Sequence, residues 1–192
     1  MLNLKLKITL STIAGCTMAL LAVWVLNQQI VQSAFNELQY AQALEDNRRT
    51  QTAIQLEIRQ LGEHLNDWTR WDDTYTYADH PESAFIQANL SDWPMLEKNF
   101  RLNFCLILNR DGRILYRNGY DSDLGGVVNL AEFAGDQPAI LSVFQPALTS
   151  EQPVDGLLRT KHGLLLLTAR SILTTGGTGP ANGVMIFGRF LD

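Results

Sequence analysis

An α+β fold is what this sequence predicts, and three observations carry the prediction. The first 26 positions hold no Asp or Glu and close with an apolar run; the stretch 27–66 has no proline and a single glycine; the second half alternates short apolar runs with turn signals. A chain of 192 residues has room for one ordinary domain plus accessory helices. Its 46% apolar and 18% charged content is that of a folded protein rather than a disordered one.

The apolar run is ITLSTIAGCTMALLAVWVL, residues 8–26, which is long enough to cross the hydrocarbon core of a bilayer as a helix. Lys5 and Lys7 precede it. Short cytoplasmic ends keep positive charge, so residues 1–7 are expected inside and everything from Asn27 onward outside. A cleaved secretory signal is the other reading; no small-x-small site follows Leu26, which favours an uncleaved anchor. Ile13-Ala-Gly-Cys16 has the look of a lipoprotein cleavage site, yet the apolar run continues from Thr17 to Leu26, where such a protein turns polar. A small-residue packing face on a membrane helix fits better.

Beyond the two lysines, residues 27–192 carry thirteen Lys and Arg against twenty Asp and Glu, a net charge of minus seven. That balance argues against nucleic acid as a partner. The two cysteines, Cys16 in the apolar run and Cys105 in an apolar strand, leave no disulfide within the folded part.

Residues 27–66 have the Gln, Glu, Ala, Leu and Arg composition of a long helix outside the membrane. Ile54, Ile58, Leu61, Leu65 and Trp68 step by four, three, four and three, and Leu44 falls on the same frame. Two readings follow: a parallel homodimer buries this seam along a helix roughly 60 Å long, or the seam packs on its own domain. The charged stretch Glu45-Asp-Asn-Arg-Arg49 interrupts the pattern and is a candidate kink.

The next segment, Trp68-Thr-Arg-Trp71-Asp72-Asp73-Thr-Tyr75-Thr-Tyr77, gathers four of the nine Trp and Tyr residues with two adjacent carboxylates. Amphipathic rings beside an acid are what a small-ligand pocket needs. The structural alternative is that WxxW on a helix puts both indoles on one core-facing side. Ala78-Asp-His-Pro81 ends the helical character, and short helices are expected near residues 81–90 and 93–100.

Strand signals begin at Asn103. FCLILN is an apolar run, Arg110-Asp-Gly112 is tight-turn chemistry, and Arg113-Ile-Leu-Tyr116 returns as the second arm of a hairpin. Alternation would place Arg113, Leu115 and Arg117 on one face, with Ile114 and Tyr116 toward the core. A turn-rich insert with short helices near 130–133 and 138–148 precedes three more strands, expected at residues 154–160, 164–173 and 184–191, joined by Lys161-His-Gly163 and a Gly-rich loop. The total is about five antiparallel strands.

On DWTRWDDTYTY at 67–77, FIQANL at 85–90, NRDGRILY at 109–116, GLLRTKHGLLLLTARSI at 156–172 and GPANGVMIFGRFLD at 179–192, the chain resembles the CHASE4 domain. This is an extracytoplasmic, PAS- and Cache-like sensor module of bacterial and archaeal signalling proteins. The resemblance covers most of residues 30–192 and implies a sensor domain at 67–192. It also implies a flanking second membrane helix and an output domain such as a diguanylate cyclase, phosphodiesterase or histidine kinase. Neither appears before Asp192.

No catalytic constellation is evident: His64, His80 and His162 lie far apart, and no glycine loop has phosphate-binding spacing. Asp72 and Asp73 point about 100° apart on a helix, which argues against a metal ion, and no cofactor is expected. In PAS-like sensors the pocket lies between the sheet and its covering helices, so the expected ligand contacts are Trp68, Trp71, Asp72, Tyr75 and Tyr116. Arg113, Arg117 and Arg170 are the cations in reach. The expected role is an inner-membrane sensor that relays a small ligand or environmental cue from the periplasm to a cytoplasmic output, cyclic di-GMP turnover being the leading one. The alternative is a module that binds another periplasmic protein and no small ligand.

Overall fold

The computed structural model describes residues 3–177 and 179–191, and the side chains of all of these except 29–37. The chain divides into two units, Met1–Ala53 and Ile54–Asp192.

The first unit is helical throughout its described length from Leu4, as the start of α1 (Leu4–Thr69). Within it Leu4–Gln28 is long and apolar enough to cross a membrane, a slightly longer stretch than the charge-free run. Thr9, Thr12 and Thr17 turn their hydroxyls back onto the carbonyls of Lys5, Ile8 and Ile13 at 3.0, 2.8 and 2.9 Å. Each polar side chain is thereby satisfied without water, as a lipid-facing helix requires. The charged stretch at 45–49 does not interrupt the helix, because Arg49 Nε reaches Glu45 Oε1 at 3.2 Å across one turn.

The second unit is built on a six-stranded antiparallel sheet of order β3-β2-β1-β6-β5-β4. The strands are β1 (Phe104–Asn109), β2 (Ile114–Asp121), β3 (Gly126–Val127), β4 (Val154–Thr160), β5 (Gly163–Ser171) and β6 (Gly183–Phe190). Five were expected. The sixth, β3, is a two-residue edge too short to show alternation. β1, β6 and β5 form the middle of the sheet and are almost wholly buried, which is why they read as continuous apolar runs.

Each face of the sheet carries its own core. On one, Cys105, Ile107, Leu166, Met185 and Phe187 meet the last turns of α1 and the short helices α2 (Asp72–Asp79), α3 (Ser83–Asn89) and α4 (Trp93–Phe100). On the other, Phe104, Leu106, Leu108, Leu165, Val184 and Ile186 are covered by the 122–150 insert. That insert contains 3-10 turns at Ala131–Phe133 and Ala139–Phe144 and the short helix α5 (Gln145–Thr149). Ile54, Ile58, Leu61, Leu65 and Trp68, the heptad seam, belong to the first core. Leu61 and Leu65 are 1% and 0% exposed, so this part of the seam packs on its own domain.

A β-bulge changes the face of one residue. Ile107 pairs with Tyr116 but Leu108 pairs with Ile114, leaving Leu115 as the extra residue of β2. Ile114 therefore joins the second core, while Leu115 and Tyr116 both pack against the first. Tyr116 faces the core as expected; Ile114 and Leu115 exchange the faces that strict alternation assigns them.

Candidate sensing site

The aromatic and acidic motif is not one helix. α1 ends at Thr69, Trp71 is extended at φ −131° and ψ 128°, and α2 begins at Asp72. The break puts Asp72 and Asp73 in the first turn of α2, where unpaired backbone N–H groups favour negative charge. It also separates the two indoles onto different elements, and they meet edge to face at 6.3 Å. Trp68 further contacts Phe187 of β6 at 5.9 Å, and Trp71 contacts Phe85 of α3 at 6.1 Å. Phe85 in turn stacks on Tyr77 at 4.6 Å.

The polar atoms of the motif hold the loop between β5 and β6. Asp72 Oδ1 accepts the Thr175 N–H at 2.8 Å, and the Tyr75 hydroxyl donates to the Pro180 carbonyl at 3.4 Å. Buried Asn182 donates from Nδ2 to the Tyr75 carbonyl at 2.7 Å and accepts from Arg110 at 2.8 Å. The Leu173 N–H reaches the carbonyl of Thr69, the last residue of α1, at 2.8 Å. The α1–α2 break and the long hairpin loop are thus one hydrogen-bonded joint. Thr74, at its centre, is fully buried and its hydroxyl oxygen has no partner among the described residues.

Trp68, Trp71, Asp72 and Tyr75 are brought together at this joint. Tyr116 is held elsewhere, by the α3–α4 junction: its hydroxyl accepts from Trp93 Nε1 at 3.0 Å and donates to the Leu90 carbonyl at 3.1 Å. Burial pushes the Tyr116 phenol up to about 12, partly offset by the Trp93 bond, and burial also raises Tyr77. Cys105, wholly buried in β1, has its thiol pushed far above the ordinary range for the same reason. Beside the joint lies an open groove of about 310 Å³ floored by Tyr77 and Phe85 and rimmed by Asp73, His80 and Glu82.

The arginines considered from the sequence are used in different ways. Arg170 grips Asp155 of β4 at 2.7 and 3.3 Å under α1, and Arg117 donates to the carbonyls of Phe133 and Gly135 in the insert. Arg113 has no side-chain partner among the described residues. Sequence reasoning missed Arg189, which is 4% exposed and joins Glu57 of α1 to the Phe100 and Arg101 carbonyls at the end of α4. An arginine in the middle of the apolar run VMIFGRFL was the available signal. No group of three or more His, Cys, Asp or Glu able to hold a metal occurs among the described residues.

A six-stranded antiparallel sheet cored on both faces, following a helix whose first part, Leu4–Gln28, is long and apolar enough to cross a membrane, sets the class: an α+β domain behind a candidate membrane span. The chain belongs to the CHASE4 family, whose domain matches residues 53–192; this is an extracellular sensor domain of signalling proteins. It is 27% identical over 143 residues to the methanogenesis regulatory histidine kinase FilI of Methanothrix harundinacea (strain 6Ac), covering 72% of this chain and 15% of that protein. The extracellular domain of the histidine kinase vpHK1S-Z8 shares the fold with a TM-score of 0.58 at 16% identity, over 81% of this chain and 60% of that one. A domain of a sensory box/GGDEF family protein from Vibrio parahaemolyticus aligns at a TM-score of 0.41 and 18% identity, over 82% and 59% of the two chains. The chain spans 15% of the length of the curated relative it matches.

Proposed function

We propose that the chain is the periplasmic sensing portion of an inner-membrane signalling protein, and that it detects a small ligand and relays occupancy to a cytoplasmic output, cyclic di-GMP turnover or a histidine kinase. One observation carries this reading. The last four turns of α1 are not a tether but part of the domain's own core, through Leu61 and Leu65, and they are tied to the sheet by Glu57–Arg189 and by Thr69–Leu173. A change in the packing of sheet and covering helices must then move the helix that leads toward the membrane span. Differential affinity for two arrangements sets the size of the response, about tenfold for each 1.4 kcal/mol.

In this reading Trp68, Trp71, Asp72 and Tyr75 sense the ligand at the joint and Tyr116 senses it at the α3–α4 junction: a ligand that reaches the joint takes the place of the Thr175 N–H and frees Asp72 for an amine. A homodimer through the upstream part of α1, where Leu38, Tyr40 and Leu44 are exposed, is the assembly that would carry the motion across the bilayer. A second reading, a protein-binding module without a small ligand, is favoured by the fact that the polar atoms of Asp72, Tyr75 and Tyr116 already have protein partners. Thermal unfolding of the full chain in detergent against a library of amino acids, small carboxylates and amines separates the two. A reproducible rise in unfolding temperature with one compound class supports the sensor; a flat response across the library refutes it.

A further inference from the structure

The two edges of the sheet are finished differently. At one, β3 is two residues long and β2 behind it carries the bulge at Leu115; short or bulged strands offer little for another chain to pair with. At the other, β4 is seven residues long, contains no proline, and keeps one unbroken register against β5, from Val154 opposite Ala169 to Thr160 opposite Gly163. Leu157 in its middle and Leu164 on neighbouring β5 are 46% and 45% exposed.

Which backbone groups of β4 face outward follows from its neighbours. The Leu191 N–H reaches the Leu164 carbonyl at 2.9 Å, so Leu164 turns its backbone to the β6 side. Alternation then turns Gly163, Leu165 and Leu167 toward β4, where their partners are Thr160, Leu158 and Gly156. Asp155, Leu157 and Arg159 are left aiming their N–H and C=O groups out of the edge, and none of these groups has a hydrogen-bond partner among the described residues. The Asp155 carboxylate is already neutralised, by Arg170 at 2.7 Å with the Thr168 hydroxyl at 2.6 Å, whereas Arg159 is exposed and its guanidinium has no partner among the described residues. At Gly156 nothing lies within 4 Å of where a Cβ would stand, so another backbone can come close.

A second copy of the chain fits this edge by register but not by orientation. α1 runs along β5: Glu57 bonds Arg189, which lies opposite Leu166, Gly62 abuts Thr168 and Arg170, and the Thr69 carbonyl takes the Leu173 N–H. The two-fold axis that pairs two β4 strands antiparallel stands perpendicular to the sheet and reverses α1, so two chains rooted in one bilayer cannot meet through it. We propose that the β4 edge docks an extended segment of another protein, which joins the sheet as a further antiparallel strand with an apolar residue opposite Leu157 and an acidic one opposite Arg159. The three outward N–H and C=O pairs supply affinity, and the two leucines and the free guanidinium supply selectivity. The choice of a foreign strand over a second copy rests on the membrane reading above.

The test is hydrogen exchange, read amide by amide on the full chain in lipid nanodiscs, with the peptide acetyl-Ser-Glu-Thr-Val-Thr-Thr-Ser-amide, which sets Glu opposite Arg159 and Val opposite Leu157. At about 5 mM peptide and a dissociation constant of about 1 mM, exchange at Asp155, Leu157 and Arg159 is expected to slow about fivefold, while Gly156 and Leu158, already bonded to β5, change little. The same peptide with Lys for Glu should bind about threefold more weakly. Leu157→Pro removes one outward N–H and no bond to β5, which an edge strand tolerates, and should weaken binding about tenfold. Arg159→Glu, which leaves the backbone alone, should reverse the preference between the two peptides. No slowing at the three odd-numbered amides overturns the proposal, as does equal binding of the two peptides or undiminished binding by Leu157→Pro. A dimer of the full chain in detergent that Leu157→Pro dissociates puts a second copy on the edge and overturns the foreign strand; the sensor reading, tested by the compound library, stands or falls separately.

Discussion

Gly62 of α1 abuts the guanidinium of Arg170, and substituting alanine there sets two terms of known size against each other. An added Cβ would stand 2.5 Å from Arg170 Nη2 and 3.5 Å from Thr168 Oγ1. Alanine in a helix interior is better than glycine by about 1 kcal/mol, so on propensity alone the change stabilises. The guanidinium, however, is pinned: it bonds Asp155 at 2.7 and 3.3 Å and the Ala169 carbonyl at 2.9 Å, while the Thr168 hydroxyl donates to the same carboxylate at 2.6 Å. Displacing it costs roughly 1.5–3 kcal/mol for charge-assisted bonds, and the Asp155 side chain, 31% exposed, places the cost toward the lower half of that range.

The net expectation for Gly62→Ala is a loss of about 1 kcal/mol, or a fall of about 3 °C in unfolding temperature for a domain of this size. In an Arg170→Ala background the obstacle is gone and the same substitution should stabilise by about 1 kcal/mol. The sign reversal, a coupling of about 2 kcal/mol, is the diagnostic quantity. Circular dichroism melts of the wild type, both single variants and the double variant in detergent measure it. If Gly62→Ala raises the unfolding temperature equally in both backgrounds, the guanidinium swings aside without cost and the reasoning is wrong.

Three further outcomes follow from the joint and the covering helices. Thr74→Val removes a buried hydroxyl that has no partner and keeps the shape, so denaturant unfolding should show a gain of about 1 kcal/mol. Asp72→Ala removes the acceptor of the Thr175 N–H and a carboxylate from the first turn of α2; hydrogen exchange should quicken at the 174–182 loop, with a cost of about 1 kcal/mol, whereas Asp72→Asn keeps the acceptor and should lose less. Because the folded state holds the Tyr116 proton more tightly than the unfolded chain, with its phenol raised to about 12 against an ordinary value near 10, its stabilising contribution is whole below pH 10 and is lost between about 10 and 12. Denaturant unfolding across that window should show a decline that Tyr116→Phe reduces, while the same variant costs stability at neutral pH by leaving Trp93 Nε1 and the Leu90 carbonyl without their partner.

How much of this was legible in the sequence depends on whether the deciding contact is local. β1, β5 and β6 were readable because strands buried on both faces are apolar over most of their length, and β4 because the Lys161-His-Gly163 turn marks its end. The α1–α2 break at Trp71 was not, since DDTYTY is as compatible with a continuing helix as with a new one; what separates them is the Thr69 carbonyl's bond to Leu173, more than a hundred positions away. The bulge at Leu115 is a property of the β1–β2 pairing and leaves no mark in β2 alone. The same distance explains the motif. Rings beside acids suggested an open pocket, but Thr175, Pro180 and Asn182, which occupy those polar atoms, are supplied by a loop whose own sequence reads only as flexible.

Arg189 shows where the apolar clasp on α1 becomes a specific one. Leu61 and Leu65 would tolerate sliding of the helix by small steps, because dispersion contacts are non-directional, whereas Arg189 fixes Glu57, Phe100 and Arg101 to one guanidinium with directional bonds. Removing the acid leaves a buried cation facing two carbonyls. The full penalty for breaking a buried pair is about 3–5 kcal/mol, and since the Glu57 side chain is 29% exposed the expected cost of Glu57→Ala is nearer 2 kcal/mol. Glu57→Gln keeps an acceptor and should cost about half as much. Hydrogen exchange distinguishes a latch from a general support: with a latch, protection falls in residues 54–69 and at the end of α4 while β1 and β5 keep theirs. Uniform loss across the sheet would mean that Arg189 serves the whole fold rather than the α1 contact alone.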